Sequence, residues 1–446
     1  MSFPISETAP VRFAAALPAR ADVVVVGGGV IGIMTAWFLR ERGLSVVVCE
    51  KGRIAGEQSG RNWGWVRQQG RDPSELPIMV ESLSIWKALA ARMGDGLGFR
   101  QTGVLYLAKT EKEIEGFEAS MENARAHQLD TRLLTSGETL AMLKGAVAPW
   151  KGALWTASDA RAEPWVAVPA LAAVAEEKGV LIREACAVRG LDLAGGKVAG
   201  VVTEAGRIAC DHVVVAAGAW SRLFLGAQGI GIPQLSVLAS VAATEPMPEI
   251  FPGNAADDDF AFRRRTDGGY SIAPGARHDF YIGRDAFRSI GVYLPVLKKD
   301  FRSTTFRLAA PAGFPDAWGT PRRWALDRPT PFERQRVLNP APNMATLAEV
   351  QDSFAKAFPA LGRPKLKSVW AGMIDSLPDV VPIVDHAPVA GLTIATGMSG
   401  HGFGIGPGMG RVIADLVTGR AVGHDLSRFR LSRFTDGSPI RPGPSL

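Results

Sequence analysis

Cysteine is scarce in this sequence: Cys49, Cys186 and Cys210 are the only three. They are too few and too scattered for a disulfide framework or a zinc site, so no metal is expected. Cys49 and Cys210 each adjoin an apolar run that reads as a buried strand, where packing is their default role. No stretch reaches the roughly 18 apolar residues of a membrane span. Residues 1–20 lack a basic start followed by an apolar core and a cleavage site, so the expected setting is cytoplasmic and reducing, compatible with peripheral contact with a membrane. The net charge of +6 is dispersed, with no block of consecutive basic residues. That argues against nucleic acid as a partner and leaves a mildly basic surface.

What is present points to an enzyme. A hydrophobic content of 47% and a charged content of 21% are ordinary for a globular enzyme, and 446 residues suffice for two domains or one large interleaved fold. The 50 glycines exceed average usage, as a chain with many turns and close ligand contacts requires. The stretch Ala21 to Gly32, ADVVVVGGGVIG, organises the rest. Val23 to Val26 form a β-branched run suited to a strand buried on both faces of a parallel sheet. Gly27, Gly29 and Gly32 follow with G-x-G-x-x-G spacing: the first permits the turn, the second lets backbone approach a pyrophosphate, and the third lets helix pack on strand. A helix over about 31–42 would aim its partly positive N-terminus at the diphosphate. A second buried strand, Ser45 to Cys49, ends in Glu50, about 20 positions beyond the glycines, where a ribose hydroxyl is usually bound. The order predicts a dinucleotide site. The carboxylate argues against NADP and leaves NAD and FAD open.

Beyond Glu50, residues 57–72 (EQSGRNWGWVRQQGRD) read as a loop, yet they combine hydrogen-bonding groups with two tryptophans that are costly to expose. A loop lying along a bound cofactor accounts for the mixture; tryptophans packed in a core are the competing reading. Residues 73–93 carry apolar positions at helical spacing, 103–108 read as a strand, and 111–127 and 136–143 read as helices, which suggests an inserted region. The doubly wound pattern returns with a helix over 166–178 and a strand over 180–183, then a small antiparallel meander at 188–191, 198–204 and 207–209. His212 to Ala216 make another buried strand, closed by the small-residue turn Ala217 to Trp220. Strand-like runs at 236–244, 260–265, 270–273 and 280–283 and a helix over 344–357 suggest an antiparallel sheet in a second domain. The last block holds strands at 380–384 and 392–396, then GMSGHGFGIGPGMG. Its glycines are too dense for an ordinary helix start, so the closing helix is expected only from Met409 to Thr418, with the backbone amides before it facing a polar ring edge. The basic, proline-rich tail from Arg428 reads as a surface wrap or a disordered segment.

Four separated segments resemble the FAD-dependent D-amino acid oxidase superfamily, that of glycine oxidase and sarcosine oxidase with its dehydrogenase members. They are the Gly27 to Gly32 turn with Glu50, the Ser59 to Gly64 loop, the VVVAAGAWS strand end at Val213 to Ser221, and the glycine run with Trp370-Ala371-Gly372 before it. The resemblance implies an α/β fold of mixed character, a Rossmann-type FAD-binding domain interleaved with an antiparallel-sheet substrate domain. Residues 21–72, 160–230 and 370–425 would form the first, 73–159 and 231–369 the second, with terminal extensions at 1–20 and 426–446. It further implies extended FAD. Gly27, Gly29, Ile31 and Gly32 would meet the diphosphate, Glu50 the ribose, and Lys51 and Val188 the adenosine end. Ser59, Gly60, Arg61, Asn62, Gly64 and Trp65 would follow the ribityl chain and ring. Ala217, Gly218 and Trp220 would pack the cofactor, and Gly372, Gly402, Phe403 and Gly404 would reach the flavin. Some members tether flavin through a C-terminal cysteine or an N-terminal histidine. No cysteine follows Cys210 and the first histidine is His127, so non-covalent FAD is expected.

The implied activity is oxidation of the C–N bond of an amino acid or a primary or secondary amine to an imine, with hydride passing to flavin N5, then hydrolysis. Oxygen, a quinone or a carrier protein would take the electrons. FAD-dependent oxidation of a 2-hydroxy acid, and a flavin subunit of a larger electron-transfer assembly, are the alternatives. Flavin supplies the redox chemistry and the protein the placement, so no obligatory acid or base is named. Where many members carry a carboxylate-binding arginine two residues after the glycine of Trp-x-Gly, Ile374 stands here, followed by Asp375. Arg67 is the substitute the resemblance offers, against an ordinary loop arginine. Tyr270 would face substrate or else pack the core. His401 would touch ring or substrate, or only cap local backbone. Gln68 and Asp375 are further candidates, for a hydrogen bond and for a cationic amine.

Overall fold

The valine run decides the architecture. In the computed structural model, which describes residues 3–300, 303–441 and 443, all four of Val23–Val26 are buried. Because successive side chains point to opposite faces, Val23 and Val25 enter one core with Met34 and Val412, while Val24 and Val26 enter another with Trp220 and Phe224. The run is thus an inner strand. Among the described residues its sheet has six strands, in the order Ile383–His386, Leu392–Thr396, His212–Val215, Val23–Val26, Val46–Cys49, Leu181–Arg183. All neighbours are parallel except the first pair. The first helix, Val30–Glu41, the helix Pro164–Glu177 and a closing helix, Gly402–Val417, share the first core. The three-stranded meander expected at 188–209 is antiparallel and turns at Gly195 and Gly196, both at positive φ.

The second sheet has ten strands among the described residues. Its longest pairing, Leu235–Thr244 against Leu366–Ser376, runs antiparallel from Leu235 opposite Ser376 and sets Ala239 opposite Gly372. The latter strand was not expected from the sequence; it runs across position 370, the boundary drawn above. Also unexpected are the strands Thr131–Thr135 and Gly152–Thr156 and the helix Arg284–Asp300 with its internal Pro295. An aromatic core of Phe260, Phe262, Tyr270, Phe354, Phe358 and Trp150 backs this sheet. Thr110 begins the helix Glu111–Ala126 with a capping box closed by Glu113.

The extensions are docked. Phe3 is buried, with its ring centroid 6.0 Å from Trp165 and 5.9 Å from Trp370. At the other end Phe429 is fully buried and Arg433 donates Nε to Asp379 Oδ2 at 2.8 Å, so the tail wraps rather than strays. Residues 1, 2, 442 and 444–446 of the expected extensions lie outside the described residues. Among the described residues no helix is long and apolar enough to cross a membrane.

Candidate active site

Between the two sheets lies a cavity of about 550 Å³ that starts at Gly29 and Glu50 and ends at Arg71, Tyr106 and Phe117. The glycine turn builds one end. Gly27 has φ +113°, and a Cβ there would stand 2.4 Å from Ala216 O, so only glycine lets the strand turn this close to the returning strand. The first amides of a helix lack intrahelical acceptors. Here Gly28 N donates to Glu50 Oε2 at 2.7 Å and Val30 N to Ser59 Oγ at 2.9 Å, which leaves those of Gly29 and Ile31, both on the cavity wall. Glu50 also accepts from Gly52 N at 2.7 Å, and burial raises its pKa. Lys51 Nζ pairs with Glu57 Oε1 at 2.6 Å and lies 4.4 Å from the Trp220 ring centroid; Trp220 Nε1 donates to the same Glu57. Val188, Ala217 and Gly218 complete this wall.

The middle of the cavity is lined by Ser59, Arg61, Asn62 and Trp65, with Gly372 packed against Arg61. The stretch expected as a loop contains a short helix, Gln58–Arg61, and a short strand, Trp65–Val66. Asn62 closes the helix: its Nδ2 donates to Ser59 O at 2.9 Å and its Oδ1 accepts from Gly64 N at 2.7 Å. Arg61 donates Nη1 to Asn339 Oδ1 at 2.7 Å and to Ala371 O at 2.9 Å, while its Nη2 is buried without a partner; burial lowers its pKa to about 10. Trp65 Nε1 is likewise buried and unpartnered. Asp375 is buried against Gly397 N at 2.8 Å and Thr396 Oγ1 at 3.3 Å, and burial raises its pKa to about 6.

At the far end three titratable side chains meet. His401, at the head of the closing helix, places Nδ1 2.9 Å from Glu75 Oε2. Arg71 donates Nε to Arg67 O at 3.1 Å and Nη2 to His401 O at 3.4 Å. Each member keeps one buried atom without a partner among the described residues: Arg71 Nη1, Glu75 Oε1 and His401 Nε2. Burial lowers the His401 pKa to about 4 against the pull of Glu75, so the ring is neutral. Burial works against the Glu75 charge, but the hydrogen bond from His401 and the guanidinium charges of Arg71 and Arg67 hold its pKa below the ordinary value. Arg67 Nη1 donates to Gln69 O, and its guanidinium lies 5.6 Å from the Tyr106 ring centroid. A Cβ on Gly70, whose φ is +69°, would stand 3.0 Å from both Arg67 Nη1 and Tyr106 Oη, so glycine lets those two groups converge. Among the described residues neither Arg67 nor Arg71 is in an ion pair.

Of the expected residues, Arg67, His401, Gly402 and Phe403 line this end. Tyr270 does not: it is fully buried in the aromatic core, its hydroxyl accepting from Ile250 N at 2.9 Å, so the packing alternative holds. Gln68 also points away, its Nε2 donating to Ser158 Oγ at 2.9 Å. Gly32, Gly60, Gly64 and Gly404 are not on the wall either. Cβ atoms there would meet Gly27 O, Ala55 O, Ala162 O and Trp65 O at 2.0, 2.3, 2.4 and 3.2 Å, so they serve backbone packing. The closing helix begins at Gly402 rather than Met409. Its glycines meet other helices, Gly406 facing Val30, Gly408 facing Ile78 and Gly410 facing Met34. Only the run's first residues face the cavity. Arg71, Glu75 and Tyr106 were not singled out by sequence. For the first two the one local signal is the spacing of charges four apart, Arg67, Arg71 and Glu75, which runs from a stretch read as loop into one read as helix.

The glycine cradle, the free turn amides and the buried unpartnered Arg61 and Trp65 nitrogens fit an extended dinucleotide carrying a polar ring. The chain belongs to the DAO family of FAD dependent oxidoreductases, whose family model matches residues 22–416. It is an FAD-dependent amine or amino-acid oxidoreductase, and FAD is its cofactor. L-amino acid deaminase from Proteus myxofaciens, solved in complex with anthranilate, matches with TM-score 0.91 and 32% identity over 97% of this chain and 98% of that one. The same enzyme from Proteus vulgaris matches with TM-score 0.89 and 32% identity over 96% and 100%. Sarcosine oxidase subunit beta from Rhizobium meliloti (strain 1021) is 25% identical over 93% of this chain and 89% of its own.

Proposed function

We propose that this enzyme oxidises an amine carried beside a carboxylate, converting the C–N bond to an imine that water then hydrolyses. FAD, when bound, accepts the hydride. The carrying observation is that one cavity joins the dinucleotide turn to an end holding a neutral imidazole and two arginines that, among the described residues, are in no ion pair. Arg67 and Arg71 suit a carboxylate in place of the arginine that Ile374 replaces. Desolvation at this end disfavours an ammonium ion beside two guanidinium groups, so the amine sits there uncharged, as hydride release requires. Residues 21–72, 160–230 and 370–425 would hold FAD, non-covalently, and also lend Arg67, Arg71 and His401 to the substrate end, which 73–159 and 231–369 would complete, in a reducing cytoplasmic setting. Trp65 and Phe403 would exclude water from the reacting carbon. The names of the deaminase and sarcosine oxidase relatives support this class of substrate.

Anaerobic mixing of the purified holoenzyme with panels of amino acids, simple amines and 2-hydroxy acids tests the reading. Bleaching of the flavin by amino acids supports it; bleaching by hydroxy acids alone overturns it. Repeating the assay with oxygen, then with a soluble quinone, identifies the electron acceptor. A second reading, a flavin subunit in a larger assembly, is favoured by one observation: the sarcosine oxidase relative is itself a subunit. A flavin that no small donor bleaches in isolation would favour it.

A further inference from the structure

Glu75 is completely buried and does not line the cavity, whereas His401 does. With Nδ1 turned to Glu75, Nε2 is the ring nitrogen left for a partner. An ionised carboxylate only accepts hydrogen bonds, so the 2.9 Å contact puts the ring proton on Nδ1. A neutral ring protonated there carries a bare lone pair on Nε2, the atom that is buried with no partner among the described residues. A buried acceptor left unmade is costly, and its natural complement is a donor brought in by a ligand.

We propose that His401 is a substrate-binding residue whose Nε2 accepts an N–H of the substrate amine, and that Glu75 is the positioning residue that fixes the tautomer able to do so. Arg71 completes the arrangement by tying the His401 carbonyl to the Arg67 segment, which sets the ring's height above the cavity. The carboxylate and the amine of one substrate are then read from adjacent points on the wall, the first by guanidinium donors and the second by an imidazole acceptor. A substrate nitrogen without hydrogen in its neutral form finds no donor role here, so primary and secondary amines are favoured over tertiary ones. This inference rests on the proposed function, because it takes the ligand to be an amino acid.

The test uses holoenzyme and two unreactive probes, anthranilate and benzoate, which share a carboxylate and ring and differ in an amino group uncharged at pH 7. Binding is read from the perturbed flavin spectrum. Wild type is expected to bind anthranilate about five- to tenfold more tightly than benzoate, the worth of one buried hydrogen bond. His401→Asn keeps a donor for Glu75 and deletes the Nε2 position, so the ratio should fall close to one with FAD content unchanged. Glu75→Gln, which no longer imposes one tautomer, should lower the ratio in part. Imidazole nitrogen NMR, practical with six histidines, supplies a readout that a merely structural role would not move. An Nδ1–H tautomer whose Nε2 signal shifts with anthranilate and not with benzoate is expected. A wild-type ratio retained by His401→Asn, an Nε2–H tautomer, or failure of wild type to bind either probe overturns the inference. Failure of the broader reading shows separately, as a flavin that no amine bleaches.

Discussion

Gly410→Ala adds a single methyl group, and the structure fixes its cost. Gly410 lies in the closing helix, and a Cβ there would stand 2.6 Å from both the carbonyl carbon and the Cβ of Met34 and 2.8 Å from Thr35 N. Two of these three atoms are backbone of the first helix, so no rotamer change relieves the clash. Alanine in a helix gains up to about 1 kcal/mol over glycine. Overpacking costs about 1–3 kcal/mol, and a clash with backbone belongs at the upper end. The net is a loss of roughly 1–2 kcal/mol. Gly116→Ala is the internal control: it lies within the helix Glu111–Ala126, a Cβ there meets nothing within 4 Å, and the propensity gain should appear alone as a small rise in melting temperature. Thermal unfolding of the two variants beside wild type gives the comparison, and FAD titration of each apoprotein gives a second. Because the first helix carries Gly29 and Ile31 to the cavity wall, Gly410→Ala should also weaken FAD binding while Gly116→Ala should not. A Gly410→Ala protein that melts at or above wild type and binds FAD equally well would refute the reasoning.

Three further outcomes follow from individual contacts. Glu163 holds Arg263 through two bonds of 2.8 and 2.9 Å with both side chains buried. Glu163→Gln should therefore cost about 3–5 kcal/mol in denaturant unfolding, and a loss under 1 kcal/mol would contradict the role given to the pair. Burial raises the Asp375 pKa to about 6, so the folded chain keeps a proton there that the unfolded chain has released. Its contribution is fully present below the unfolded value near pH 4 and is lost as pH rises through about 6, up to roughly 3 kcal/mol by neutral pH. Asp375→Asn should flatten that part of the stability profile between pH 4 and 7, and an unaltered slope would sink the assignment. Added FAD should raise the stability of the apoprotein by about 2.7 kcal/mol at a hundredfold excess over Kd; a melting temperature independent of FAD would show that the cavity does not take it.

Some of this was legible in the sequence because its causes are local. Val23–Val26 and the glycines after them announce a strand and a tight turn through residue type alone, and both are found as expected. Tyr270 shows where local pattern stops. A two-residue period places it on a strand but does not say which face meets the cavity, and it faces Phe262, with ring centroids 5.5 Å apart. The strand Leu366–Ser376 was hidden for another reason: its partner strand is more than a hundred positions earlier in the chain, and pairing rather than propensity holds it. The glycine run after Gly397 misled because glycine is unfavourable in an isolated helix. Its reason for being helical lies in Val30, Met34 and Ile78, hundreds of residues away.

The same glycines hold the two ends of the site together. The closing helix presents His401, Gly402 and Phe403 to the cavity, and its glycine stripe admits the backbone of both the first helix and the helix Leu76–Met93. Gly404 O accepts from Ser82 Oγ at 2.8 Å and Trp86 Nε1 at 2.9 Å, which pins the same helix to the one that Glu75 precedes. The first helix carries the diphosphate turn, and Glu75 orients the imidazole at the substrate end. The closing helix therefore ties the two ends together through two separate contacts, Gly410 against the first helix and Gly408 against the helix Leu76–Met93. Small residues along it are required less for what touches FAD than for the distance between the nucleotide turn and the His401 ring. On that reasoning Gly408→Ala, whose Cβ would stand 2.6 Å from Ile78 O, should disturb the substrate end more than FAD affinity, and Gly410→Ala should do the reverse. The anthranilate to benzoate ratio and the FAD titration, measured on both variants, separate the two effects; equal losses in both assays for both variants would mean that the helix moves as a rigid unit and that the division is wrong.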